Sequence, residues 1–351
     1  MNNNECYGYI GTYTNGNSEG IYRFVLDVER AIIKDIQVVA HLDNPTYLAI
    51  NKDNQYLYSV VKKGEFGGVA AFSIHSQMNT LDLLNTQVLE GKPPCYVGID
   101  NTNQTIVTAN YHKGTIESYL INKYGMLTPA ISIMEHKESG TNTERQKQSH
   151  THYAGFTPDN KYVLAINLGI DQLITYKEKK GVLTKVDSLF LRSGSGPRHL
   201  VFHPNAKYVY VMTELSSEII VLAYQDKNGS FSEVQYISTL PKGFLKNNQG
   251  SAIHISSDGR FVYAANRGHN SIAVFRVNQD SGRLIFVESI DTEGNWPRDF
   301  VLDPTEKFLV VSNEKSSNLV LFSRSKYTGK LTLLQSDIIV PNPVCLKFLN
   351  Y

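Results

Sequence analysis

Apolar positions along this chain come in short bursts of four to seven residues, not in long amphipathic stretches. The segment PRHLVFHPNAKYVYVMTEL, residues 197–215, shows the pattern. Two runs rich in β-branched and aromatic residues flank a polar HPNAK turn. Runs of that composition, punctuated by Asp, Asn, Gly and Pro, predict an antiparallel hairpin. The hairpin recurs as NPTYLAINKDNQYLYSVV at 44–61 and PPCYVGIDNTNQTIVTAN at 93–110. Further copies are SHTHYAGFTPDNKYVLAIN at 149–167, GSAIHISSDGRFVYAANR at 250–267 and WPRDFVLDPTEKFLVVSNE at 296–314. After each copy comes a third run (VAAFSI, TIESYLI, QLITYK, EIIVLAY, SIAVFRV, NLVLFSR) and then a fourth, less regular one. Aligned on Pro45, Pro94, Thr151, Pro197, Gly250 and Pro297, the copies are 46 to 57 residues apart. Four strands at a period near 50 is the mark of propeller blades.

The two ends supply one more blade. NPVCLKFLNY at 342–351 matches only the first strand of a repeat, and YGYIGTYT with GIYRFVLD matches the later strands. The expectation is an all-β, seven-bladed β-propeller with four antiparallel strands per blade, one domain over residues 1–351. The ring would be closed by pairing of N- and C-terminal strands, which removes two bare sheet edges. A helical repeat would need a 3.6-residue period, and a doubly wound α/β fold would need long amphipathic helices; neither pattern occurs.

Composition narrows the function classes. With 34 Lys and Arg against 33 Asp and Glu, the net charge is +1, so no basic excess recruits nucleic acid or an anionic membrane. No apolar run reaches bilayer length. The start, MNNNECYGYIGTYT, lacks a secretory pattern, and Cys6, Cys95 and Cys345 have neither CxxC spacing nor an even count. Both features predict a cytoplasmic protein without disulfides or a zinc site. The Asn103 and Asn228 sequons are then chance matches.

Blade geometry picks out candidate chemistry. The residue before the first strand and the residue after the second meet at one mouth of the central channel. At the first position, just after the common Pro, stand Thr46, Cys95, His152, Arg198, Ser251, Arg298 and Val344. At the second stand Lys62, Tyr111, Leu168, Glu214, Arg267 and Glu314. This predicts a lopsided cationic pocket with His152, Glu214, Arg198 and Arg267 as catalytic candidates. Arg298, Lys62 and His150 are candidates for substrate binding. Three arginines converging on one mouth repel each other, and an anionic ligand is the simplest compensator.

Other features have plainer readings. Asn110, Asn167, Asn266 and Asn313 recur where second strands end, where an Asn side chain satisfies loose backbone groups. Asn266 and Asn313 are carried as substrate-binding candidates as well. Asp53, Asp159, Asn205 and Asp258 are turn formers, and His203 lies in such a turn on the opposite face. His199 and His254 lie along inner strands, either lining the channel or packed. His150 and His152 have a spacing usable by a metal, but arginines surround them instead of a third imidazole or thiolate, so no metal and no cofactor is expected. The polar stretch 136–150 makes its repeat the longest and reads as a surface loop beside the mouth, either a lid or an inert insertion.

The repeat, with YIGTYT, PRHLVFHP, GSAIHISSDGRFVYAANR and WPRDFVLDP, resembles the seven-bladed lactonase family over essentially the whole chain. That family includes bacterial 6-phosphogluconolactonases and fungal carboxy-muconate cyclases. The resemblance implies a lactone as substrate or product, and by motif His152, Arg198, Glu214 and Arg267 look like the residues implicated in the cyclase branch. The reaction it favours is opening of 6-phosphogluconolactone, a small anionic sugar lactone of the pentose phosphate pathway. His152 would be the base for water, with Glu214 tuning it or taking that role. One of Arg198 and Arg267 would face the oxyanion, and the remaining arginines, Arg298 and Lys62 would hold the phosphate. Two alternatives stay open: a cyclase or lyase acting on an unsaturated dicarboxylate, and a non-catalytic propeller binding an anionic metabolite or a protein. WD-type scaffolding does not fit, because no Gly-His…Trp-Asp signature recurs and Trp296 is the single tryptophan.

Overall fold

The structure, a computed structural model, describes residues 4–75 and 77–350. Seven four-stranded antiparallel sheets stand in a ring. The innermost strands are Leu48–Ile50, Tyr96–Ile99, Thr151–Phe156, Pro197–Phe202, Gln249–Ile255, Pro297–Leu302 and Pro343–Phe348. The last of these pairs with Glu5–Thr12, with Ile10 opposite Leu346, so the two ends of the chain close one blade together as the repeat predicted.

Burial explains why these strands read as apolar runs instead of alternating. Second strands such as Thr105–Asn110, Tyr162–Asn167 and Phe308–Asn313 are buried at every position, because both sheet faces meet a neighbouring blade. Each inter-blade core is built from two adjacent sheets. Leu164, Ile166 and Leu173 of one blade, for instance, pack on Val209, Val211 and Leu222 of the next. Outer strands such as Leu81–Glu90 are half-exposed, which accounts for their less regular pattern.

The mid-repeat turns are self-sealed. Asn51 Oδ1 accepts from the amides of Gln55 and Tyr56, both at 2.8 Å, and Asp100 Oδ1 accepts from Gln104 at 2.7 Å and Thr105 at 2.8 Å. His203 does the same work: its Nδ1 accepts from the Asn205 amide at 3.1 Å, and its Nε2 meets the Gly259 carbonyl at 3.1 Å. These groups hold turns and contribute nothing to the mouth.

Candidate active site

A local irregularity aims the first set of mouth residues. The pairing register jumps between Thr151 and Tyr153, between Pro197 and His199, and between Pro297 and Asp299. His152, Arg198 and Arg298 are therefore the extra residues of three β-bulges at equivalent places. A bulge breaks the strict alternation of sides and re-aims one side chain, here toward the channel mouth. The second set follows where the second strands end. The Glu214 amide donates to the Gly196 carbonyl at 2.6 Å and carries the side chain to the mouth. Gly196 permits this approach: its φ is +59°, and a Cβ there would lie 2.4 Å from Leu215 Cγ.

A cavity of about 600 Å³ opens at this mouth. Among the described residues, five cations (Lys62, Lys92, Arg145, Arg267 and Arg298) and one carboxylate, Glu214, line it, with His152, Tyr13, Tyr111 and Trp296. Arg198 lies just beneath, bordering a small void it shares with Cys95, His199 and Arg298.

Glu214 is the electrostatic centre, with its side chain only 4 % exposed. Arg267 Nη2 donates to its Oε2 at 2.6 Å, Arg198 Nε stands 3.2 Å from the same oxygen, and Arg145 Nη2 donates to Oε1. Burial pushes the carboxyl up, but Arg267 and Arg198, helped by Arg145, outweigh it and hold Glu214 well below the usual carboxylate range. A carboxylate so held is a counter-ion and a weak base.

His152 is pushed well below its usual value by burial first, then by Arg198, with Glu214 opposing. It is a neutral imidazole at pH 7, and its Nδ1 is buried without a hydrogen-bond partner among the described residues. Burial, Arg267 and Arg298 likewise lower Arg198, whose Nη1 has no hydrogen-bond partner among the described residues. Arg298 is the opposite case: burial is outweighed by Tyr13 and Glu314, to which it donates at 3.0 and 3.4 Å. The Cys95 thiol is driven up to about 11 by burial, so it is inert as a nucleophile.

Besides Arg198, three sequence-based candidates do not line the cavity. Asn266 and Asn313 are fully buried, and their Nδ2 groups donate to the Thr239 and Thr292 carbonyls at 3.0 Å. Each bond ties a second strand to the linker from the preceding blade, so these two asparagines are structural. His150 stacks on Tyr111, centroids 4.1 Å apart, with Nδ1 2.7 Å from the Tyr111 carbonyl. It buttresses the wall without lining it. His199 is packed in the channel, 5.2 Å from His152 between ring centroids, while His254 faces Asp299 at 3.7 Å. No group of three His, Cys, Asp or Glu is placed to hold a metal among the described residues.

The segment 136–150 is tied to the ring beside the mouth. Fully buried Gln146 fastens it, and the neighbouring Arg145 enters the cavity. Sequence reasoning missed Arg145 because it lies outside the repeat register. Tyr13 was missed although it was legible. It follows Thr12, which pairs with Pro343, and so occupies in the closing blade the place that Glu214 and Glu314 hold in theirs. Trp296 takes a left-handed backbone (φ +70°) and sets its ring 5.5 Å from the Arg267 guanidinium. A bulky residue held in that region marks a constrained position at the mouth.

Comparison with known proteins agrees with this architecture. The family model for lactonases of the 7-bladed beta-propeller type matches residues 7–348. The 6-phosphogluconolactonase of Bacillus subtilis is 55 % identical over 343 residues, covering 98 % of each chain. A crystal structure of a Lactobacillus plantarum protein superposes with a TM-score of 0.95 at 41 % identity, covering 98 % of this chain and 99 % of that one. The periplasmic gluconolactonase of Pseudomonas aeruginosa does so with a TM-score of 0.92 at 29 % identity, with the same coverage.

Proposed function

The chain belongs to the seven-bladed β-propeller lactonase family, and from that membership we propose that it is a 6-phosphogluconolactonase. It hydrolyses 6-phospho-D-glucono-1,5-lactone to 6-phosphogluconate, a step of the pentose phosphate pathway. The single observation that carries the reading is the 55 % identity, over nearly the full length of both chains, to a protein named for that hydrolysis. It separates hydrolysis from the cyclase and binding-module alternatives. The cavity supports it with five cations against one carboxylate, a surplus suited to a phosphorylated sugar.

In this reading neutral His152 takes a proton from water as the water oxygen attacks the lactone carbonyl carbon. A low proton affinity keeps the imidazole in its base form at neutral pH, although it weakens the base. The oxyanion faces Arg267, and Arg198 adds charge from below; a donor so placed is worth roughly 3–4 kcal/mol. The ring C–O bond then breaks, and the leaving alkoxide takes the proton from the imidazolium. The product acid ionises, releasing one proton per turnover. Glu214 holds Arg198 and Arg267 in place instead of acting as base. Arg298 and Lys62 bind the phosphorylated end. Among the described residues no helix is long and apolar enough to cross a membrane. With Cys6, Cys95 and Cys345 all free, the compartment proposed is the cytoplasm.

The test is hydrolysis of freshly made 6-phosphogluconolactone by purified protein, with the spontaneous rate subtracted and unphosphorylated gluconolactone run alongside. Turnover that favours the phosphorylated lactone is the expected result. A rate equal to the spontaneous one for both lactones overturns the reading.

A further inference from the structure

Four arginines surround the mouth, and they differ in how freely they can reach a ligand. The side chains of Arg198 and Arg267 are 3 % and 4 % exposed, and Arg298 is 19 % exposed and bound to Tyr13 and Glu314. Arg145 is 32 % exposed, lines the cavity, and is held by Glu214 Oε1, its one ion-pair partner among the described residues, and by a hydrogen bond to the Tyr111 side chain. If Arg145 leaves that oxygen, Glu214 keeps Arg267 and Arg198 on its other oxygen and stays compensated.

The backbone that carries Arg145 is firm. Asn142 Oδ1 accepts from the amides of Glu144 and Arg145 at 3.1 and 3.0 Å, and the Asn142 carbonyl accepts from Gln146 N at 2.8 Å, forming one closed turn. Gln146 Nε2 then donates to the Leu168 carbonyl at 2.8 Å and to Asp171 Oδ1 at 2.9 Å. Asp171 in turn accepts from Gly194 N and Gly196 N, both at 2.7 Å, on the stretch leading to Arg198. A fixed root with a half-free guanidinium is what a ligand-gripping arginine needs: little ordering cost, and freedom to change partner.

Substrate shape says which end it grips. The reacting carbonyl must reach His152, which is 5 % exposed at the cavity floor. The phosphate sits on the exocyclic carbon, across the ring oxygen from that carbonyl, and therefore lies nearer the rim, at the level of the more exposed cations. A guanidinium there offers two parallel donors to two phosphate oxygens, which the rim lysines cannot.

We propose that Arg145 is a specificity-determining residue, exchanging its Glu214 contact for the substrate phosphate and so making the site prefer a phosphorylated lactone. The proposal rests on the hydrolase reading above and adds a residue outside the repeat to it.

The test is the ratio of kcat/KM for 6-phosphogluconolactone to kcat/KM for gluconolactone, in the wild type, Arg145→Met and Arg145→Lys. Arg145→Met is expected to lower that ratio roughly 10- to 100-fold, mainly through KM, as for one lost charge-assisted hydrogen bond. Arg145→Lys, which keeps the charge and loses the fork, is expected to fall between. A thermal melt of each variant checks folding, and the ratio is insensitive to the fraction of active protein. A wild type without preference for the phosphorylated lactone overturns the reading of the site and this assignment together. A wild type with that preference and an Arg145→Met variant whose ratio is unchanged overturns the Arg145 assignment alone, whether or not both rates fall.

Discussion

Arg267 and Glu214 come from neighbouring blades and meet through a 2.6 Å hydrogen bond, with both side chains only 4 % exposed. The pair organises the mouth, because the same carboxylate also compensates Arg198 and Arg145. Glu214→Gln leaves those guanidiniums crowded without a counter-charge. Breaking a buried pair from one side costs about 3–5 kcal/mol. The expected result is a lower Tm for Glu214→Gln, partly restored by millimolar phosphate, which supplies the missing negative charge. An unchanged Tm without phosphate would show that the arginines do not depend on Glu214.

His152 is assigned the proton transfer, so His152→Ala should lower kcat by about 10²–10⁴-fold with a much smaller change in KM. The imidazole lies well below 6.5 because it is buried beside Arg198. The acid limb of the kcat/KM profile should therefore fall below the ordinary histidine range, with the rate already level at pH 7. A limb centred at 6.5 or above would count against His152 as the base.

Stability should be acid-sensitive in two stages. His152 and His199 are both held neutral by burial and by Arg198, below an unfolded value of 6.5. Between the two values the unfolded chain binds more protons than the folded one, so stability rises with pH and is lost as pH falls below about 6.5. Glu214 is held below its unfolded value of 4.5, so its contribution is present above 4.5 and disappears with further acidification. Urea midpoints at pH 7.5, 5.5 and 4 should decrease in that order.

Asn313 tests the distinction between holding the fold and holding substrate. It is fully buried, with Nδ2 3.0 Å from the Thr292 carbonyl. Asn313→Ala should cost about 1–3 kcal/mol of stability, as expected for a buried group left unpaired. KM for the lactone should stay as in the wild type. A KM rise without loss of stability would return Asn313 to the binding site.

Ring closure makes the last strand indispensable. Removing residues 342–351 bares the Glu5–Thr12 edge and takes away Leu346, the buried residue opposite Ile10. The truncated chain should aggregate or lose its cooperative thermal transition. The point variant Leu346→Ala should fold with a penalty of about 2–5 kcal/mol.

The seven blades, the closing of the ring by both chain ends, and the mouth positions of His152, Arg198, Glu214, Arg267 and Arg298 were all readable in the sequence. Each depends on a local pattern repeated at near-constant spacing, and a strand's burial and direction follow from that pattern. The same logic reaches Tyr13 once the closing blade is counted like the others. It placed Asn266 and Asn313 at the mouth correctly along the strand, but a strand position does not say which way an amide turns. Their turning inward to the Thr239 and Thr292 carbonyls is settled by the linkers packed against them. Tertiary structure alone decided the rest. Arg145 meets Glu214 across 69 residues from a segment with no repeat register, and its reach depends on where Gln146 and Asp171 fasten that segment. The charge states also belong to the folded molecule. His152 is neutral because burial and Arg198 act together, whereas Glu214 is firmly ionised because three neighbouring guanidiniums outweigh its burial, and those distances exist only after the ring has closed.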